Sequence, residues 1–90
     1  MSSEAEARRT YLIAMRKGLG LTQAEMAAAL GMGVRAFSDI ETGKSECRPI
    51  HIMAAERLTL RLAVERDSAE ALAAPVLADL RALARHLPPQ

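Results

Sequence analysis

The apolar residues of this chain recur at helical spacing in blocks, and each block is bounded by cap or breaker residues. Ser3 with Glu6 forms a possible capping box that predicts a first helix from about Glu4. Leu12, Met15 and Leu19 give that helix an inner face, and Gly18 and Gly20 are expected to end it. Thr22 with Glu25 is a second capping box, so a second helix should start at Gln23. Its small Ala24, Ala27 and Ala28 allow close approach by a neighbour, beside the bulkier Met26 and Leu30. Gly31 then stops it, because glycine enters the left-handed region without penalty.

Only Met32 and Gly33 separate this helix from a third segment. There Val34, Phe37 and Ile40 fall at i, i+3 and i+6, one helix face, while Arg35, Ser38 and Asp39 lie opposite. Gly43 ends the segment, and residues 42–48 read as a loop. Pro49 suits the first position of a fourth helix, which meets no breaker until about Arg66. Its apolar residues fall on two faces, Ile50, Met53 and Leu60 on one and Ile52, Leu58 and Leu62 nearer another, which predicts burial on two sides. A third cap signal, Asp67 to Glu70, opens a helical segment from Ala69 to Leu87, kinked or divided at Pro75. Val76, Leu80, Leu83 and Leu87 form an apolar stripe along it, and Pro88 and Pro89 close it. The pattern therefore predicts an all-α fold of five to six helices. Residues 1–66 form its main unit, and residues 67–90 a helical extension packed on that unit.

Two helices joined by so short a turn cross steeply, at roughly 90–120°. The third helix can then protrude with its polar face outward, a shape that fits a DNA major groove about 12 Å wide. The segment resembles the Cro/CI-type family of phage repressors, also called the xenobiotic-response-element family. The resemblance is carried by Arg16, Leu21-Thr22-Gln23-Ala24-Glu25-Met26-Ala27, Leu30-Gly31 and Glu41-Thr42-Gly43, over about the first fifty residues. This chain departs from the pattern at Gly33, where Ser or Thr is usual, at Cys47, and in its longer helical continuation after Pro49.

The resemblance implies a transcriptional repressor that binds an inverted repeat in double-stranded DNA as a homodimer, and that regulates its own phage or mobile-element operon. It puts Val34, Arg35, Ser38 and Asp39 at base-contacting positions, in agreement with the outward face of the third helix. Arg35 suits guanine O6 and N7, and Asp39 suits a cytosine amino group. Gln23, Thr42, Lys44, Ser45 and Arg48 are expected to contact the DNA backbone, which sets register without reading sequence. The family also implies a partly buried ion pair between Arg16 and Glu41. The stripe of Val76, Leu80, Leu83 and Leu87, with the second apolar face of the fourth helix, is the expected dimer seam.

Composition narrows the alternatives. The chain has 90 residues, 50% hydrophobic and 2% aromatic, which suits one small domain with an aliphatic core. A domain of this size gains from dimerisation. Its formal charge of only +1 means that any nucleic-acid affinity depends on local placement of cations. A single cysteine excludes an internal disulfide. No apolar run reaches the roughly 18 residues of a membrane span. The acidic, polar start, Ser2 to Glu6, lacks signal-peptide character, so a cytoplasmic location is expected.

Cys47, His51 and His86 are too few and too poorly spaced to hold zinc, and no metal or cofactor is expected. His86 reads as a dipole partner at a helix C-terminus. Tyr11 reads as a half-buried packing residue, and Met15, Met26 and Met53 as core filler. No nucleophile–base pair, acid pair or phosphate loop is visible, which argues against an enzyme. Two rival readings share the pattern. One is an antitoxin-type DNA-binding protein whose C-terminal segment binds a toxin, or an antirepressor as partner. The other is an interaction module whose helix-turn-helix no longer binds DNA.

Overall fold

The computed structural model describes residues 2–90, and Met1 lies outside them. Five α-helices follow one another: α1 (Ser3–Leu19), α2 (Gln23–Ala29), α3 (Val34–Thr42), α4 (Pro49–Arg66) and α5 (Ala74–Leu83). Short 3-10 turns occupy Ala69–Ala71 and Ala84–His86. The chain is all-α, with no strand among the described residues.

Local chemistry accounts for most of the boundaries. The predicted Thr22–Glu25 box is complete: Glu25 N–H donates to Thr22 Oγ1 at 3.1 Å, and Thr22 N–H donates to Glu25 Oε1 at 2.9 Å. At the first helix the cap lies one residue earlier than expected. Ser2 Oγ accepts from Ala5 N–H at 3.0 Å, so Ser3 is already helical. Gly18 stays inside α1, and Gly20 alone ends it, at φ 72°. Pro49 occupies the start of α4, where its missing N–H costs nothing.

The segment after α4 differs more from expectation. Asp67 ends α4 in the left-handed region at φ 51°, a conformation short polar side chains tolerate. The capping role passes to Ser68, whose Oγ accepts from Glu70 N–H at 3.2 Å. No single helix runs from Ala69 to Leu87. Pro75 sits in the first turn of α5, so that helix begins at Ala74 and ends at Leu83. Leu87 is extended, with φ −78° and ψ 137°, and therefore leaves the stripe of Val76, Leu80 and Leu83.

The core is aliphatic around a single ring. Phe37 is fully buried among Leu12, Met15, Met26, Ile40 and Leu58. Cys47 and Ala73 join the same core, and Val76 packs against it from outside. Thr59 docks the C-terminal segment. Its hydroxyl donates to the Glu56 carbonyl at 2.7 Å and accepts from Ala73 N–H at 3.1 Å. Tyr11, half-buried as expected, also donates to Glu56, at 2.8 Å.

Two packing expectations change. Met53 is 68% exposed and fills no core, unlike Met15 and Met26. Ile50, Met53 and Val64 form an outer face of α4 that this chain leaves uncovered, while Leu58 on the inner face is buried. Val34 also departs from the Phe37–Ile40 core face and is 50% exposed, because it starts α3 at the rim of the domain. No helix among the described residues is long and apolar enough to cross a membrane.

Candidate nucleic-acid interface

The turn between α2 and α3 is built on backbone bonds. Gly31 takes φ 74°, and its N–H donates to the Ala28 carbonyl at 3.1 Å. Met32 N–H donates to the Ala27 carbonyl at 2.8 Å. Together they satisfy carbonyls that the end of α2 would otherwise leave free. Gly33 caps α3 without a side chain, and its carbonyl accepts from Phe37 N–H at 3.1 Å. The serine or threonine usual at this position would add a side-chain cap that is absent here.

Phe37 and Ile40 anchor the inner face of α3. The opposite face carries Val34 and Arg35, both exposed, with Ser38 and Asp39 half-buried beside them. These four residues therefore share the outward side of the helix. Thr42 is exposed, but its hydroxyl turns back to the Asp39 carbonyl at 3.3 Å. That carbonyl also accepts Ser45 N–H at 3.0 Å, which folds the start of the loop against α3. Lys44, Ser45 and Arg48 are exposed along the loop. The Arg48 N–H is capped by His51 Nδ1 at 2.9 Å, leaving the guanidinium outside. Burial and the neighbouring Arg48 lower the His51 pKa below its usual 6.5, consistent with a neutral ring accepting that bond.

A buried polar cluster sets how α3 sits on the domain. Arg16 grips the Glu41 carboxylate with both arms, Nε to Oε2 at 2.8 Å and Nη2 to Oε1 at 3.0 Å. The side chains are 15% and 5% exposed, respectively. Arg16 Nη1 also donates to the Leu21 carbonyl at 3.0 Å, and Gln23 Nε2 donates to Glu41 Oε1 at 2.8 Å. Helix α1, the start of α2 and the end of α3 thus meet at one carboxylate. Burial alone would raise the Glu41 pKa, but the hydrogen bonds from Arg16 and Gln23, aided by the charges of Arg16 and Lys17, hold it below 4.5. Gln23 thus spends one amide proton in this cluster, and its side chain stays half-buried at the start of α2.

Sequence reasoning missed two further donors on α1. Arg9 Nη1 donates to the Glu41 carbonyl at 3.1 Å, and Arg8 Nε donates to the Cys47 carbonyl at 2.7 Å. Arg9 lies two turns before Arg16 on the same side of α1, which is the one available signal. Cys47, in the loop as expected, is fully buried, and burial raises its thiol pKa. His86 lies exposed in the last 3-10 turn and accepts a 3.3 Å bond from Arg85. Among the described residues no group of three or more His, Cys, Asp or Glu side chains is placed to hold a metal ion.

A short exposed polar helix, held across its neighbour by a glycine turn and a buried ion pair, defines the DNA-binding helix-turn-helix class of regulators. The helix-turn-helix family model HTH_3 matches residues 12–58, just over half of the chain, and the protein belongs to this Cro/CI-type family. The family is one of regulators and not of enzymes. No curated protein and no solved structure matches the chain significantly.

Proposed function

We propose that this regulator is a sequence-specific transcriptional repressor that binds an inverted-repeat operator as a homodimer and acts in the cytoplasm. The exposed face of α3 carries the reading, because a fully anchored helix presents Arg35 outward with no structural duty of its own. Val34, Arg35, Ser38 and Asp39 are assigned to base edges. Gln23, Thr42, Lys44, Ser45 and Arg48 are assigned to the DNA backbone. By analogy with the family, the operator lies upstream of its own gene in a phage or other mobile-element operon, and repression is steric.

Residues 1–66 serve as the DNA-binding unit and residues 67–90 as the dimerising extension. In a single chain Leu83 and Leu87 stay 50% and 54% exposed, whereas Val76 and Leu80 are half-buried against their own chain. The proposed seam therefore rests on Leu83, with Val76 and Leu80 behind it, and Leu87 joins it only from the extended backbone beyond the helix. Leu80 shares a hollow with Val64, which links α5 to the uncovered outer face of α4. Such a surface favours a partner over solvent.

A salt-dependent gel shift with DNA from upstream of the gene tests the reading. Specific retention whose affinity falls steeply with salt supports it. Equal, negligible retention of upstream and unrelated DNA favours an interaction module instead.

A further inference from the structure

Two arginines upstream of the family match reach across the domain to the backbone at the two ends of the α3–α4 loop. Arg8 and Arg9 lie on α1, and the match begins at residue 12. Their targets bracket the α3–α4 loop. The Glu41 carbonyl belongs to the last turn of α3, and the Cys47 carbonyl immediately precedes the N-cap of α4. Lys44 and Ser45, both exposed, lie between them. The far end of the loop is pinned twice, by the buried Cys47 side chain and by Arg8. Glu6 holds the Arg9 guanidinium in place, Oε2 to Nη2 at 2.7 Å.

Bonds from a charged donor are stronger than neutral ones, so one at the helix end and one at the far end of the loop fix the two points between which a short loop hangs. A loop ordered beforehand does not lose its freedom at the moment of binding, and affinity rises accordingly. Fold stability is not the whole explanation for Arg9, whose bonds to the Glu41 carbonyl and to Glu6 come with a cost. Its Nε is buried without a hydrogen-bond partner, and an orphan donor weakens a fold.

We propose that Arg8 and Arg9 are positioning residues for DNA binding: from α1 they hold the α3–α4 loop in the shape that presents Lys44 and Ser45 to phosphates. They act through the loop, since their bonds are made within the protein. The proposal rests on the DNA-binding reading above.

The double variant Arg8→Met/Arg9→Met tests it by two measurements. In the free protein, amide hydrogen exchange at Ser45 should accelerate about tenfold or more, while Phe37 and Ile40 keep their protection. Binding to a mixed-sequence duplex should weaken about tenfold, and the slope of log affinity against log salt should fall by about one. That loss should not add to the loss from Lys44→Ala, because both changes remove the same contact.

Unchanged exchange at Ser45 overturns the proposal. So does full additivity with Lys44→Ala, which would mean that the arginines touch DNA themselves. If the double variant fails to fold, Arg8→Met alone decides by the same measurements. If the wild type binds no duplex, the proposal falls with the DNA-binding reading. Accelerated exchange at Ser45 in the variant would then show that the clamp exists and that the reading was at fault.

Discussion

Arg35 and Arg16 are chemically alike and sit in opposite situations. Arg35 is exposed on α3 and free to meet a ligand, whereas Arg16 is sunk into a carboxylate that it grips with two bonds. Their losses should therefore differ in kind. Arg35→Ala should leave the melting temperature nearly unchanged, cost about 1–3 kcal/mol of specific affinity, and relax preference at one base position per half-site. An equal loss on specific and random duplexes would show that it contacts no base. Arg16→Ala should destabilise the fold by about 3–5 kcal/mol, because Glu41 is left buried and unpaired. Adding Glu41→Ala should recover part of that loss, and strict additivity in denaturant melts would mean the pair does not interact. The same pair predicts acid sensitivity. The Glu41 pKa is held below 4.5 in the folded chain, so its contribution is complete above that value and fades as pH falls through the lower folded pKa. Glu41→Gln should flatten that part of the pH–stability curve.

At the scale of elements, α4 and the segment after it show how tertiary bonds complete what local signals begin. Thr59 is buried and bridges Glu56 to Ala73, so one hydroxyl joins α4 to the chain leading into α5. Thr59→Val keeps the shape and removes the acceptor. It should cost about 1–3 kcal/mol, the penalty of a buried N–H without a partner. Exchange protection at Ala73 should drop before that of α1 does, and unaltered protection there would remove Thr59 from this role. The helices themselves were legible in the sequence wherever a chemical rule of one residue decides the boundary. Thr22 with Glu25, Gly31, Gly43 and Pro49 are such cases. The C-terminal segment was less legible, because its apolar spacing persists across Pro75 and past Leu83, where the helix does not. Met53 misled for a related reason: periodicity places a residue on a face, and only the arrangement of neighbouring helices decides whether that face is covered. Of the candidate site, the outward row on α3 could be read from spacing. Arg8 and Arg9 could not, beyond the spacing of Arg9 from Arg16, since their acceptors are backbone carbonyls, which leave no trace in the identity of the residues that carry them.

For the whole molecule, a formal charge of +1 supplies little general attraction to DNA, so the proposed recognition of one site has to come from specific contacts. A single small module makes too few base contacts, and the helix-turn-helix solution is a dimer on a twofold site. Leu83→Glu tests the assembly. Leu83 is half exposed in one chain, so helical content should survive, while sedimentation should show a monomer and DNA affinity should collapse. Retained dimers with normal binding would put the seam elsewhere, and unfolding would put Leu83 in the monomer core. Whether α3 reads DNA sequence, as proposed, is tested by selecting bound duplexes from a randomised pool. A twofold-symmetric site with half-site centres about 34 Å apart should be enriched, with preference lost at one position per half-site when Arg35→Ala is selected in parallel. A pool that stays random after repeated selection with the folded wild-type protein would contradict it.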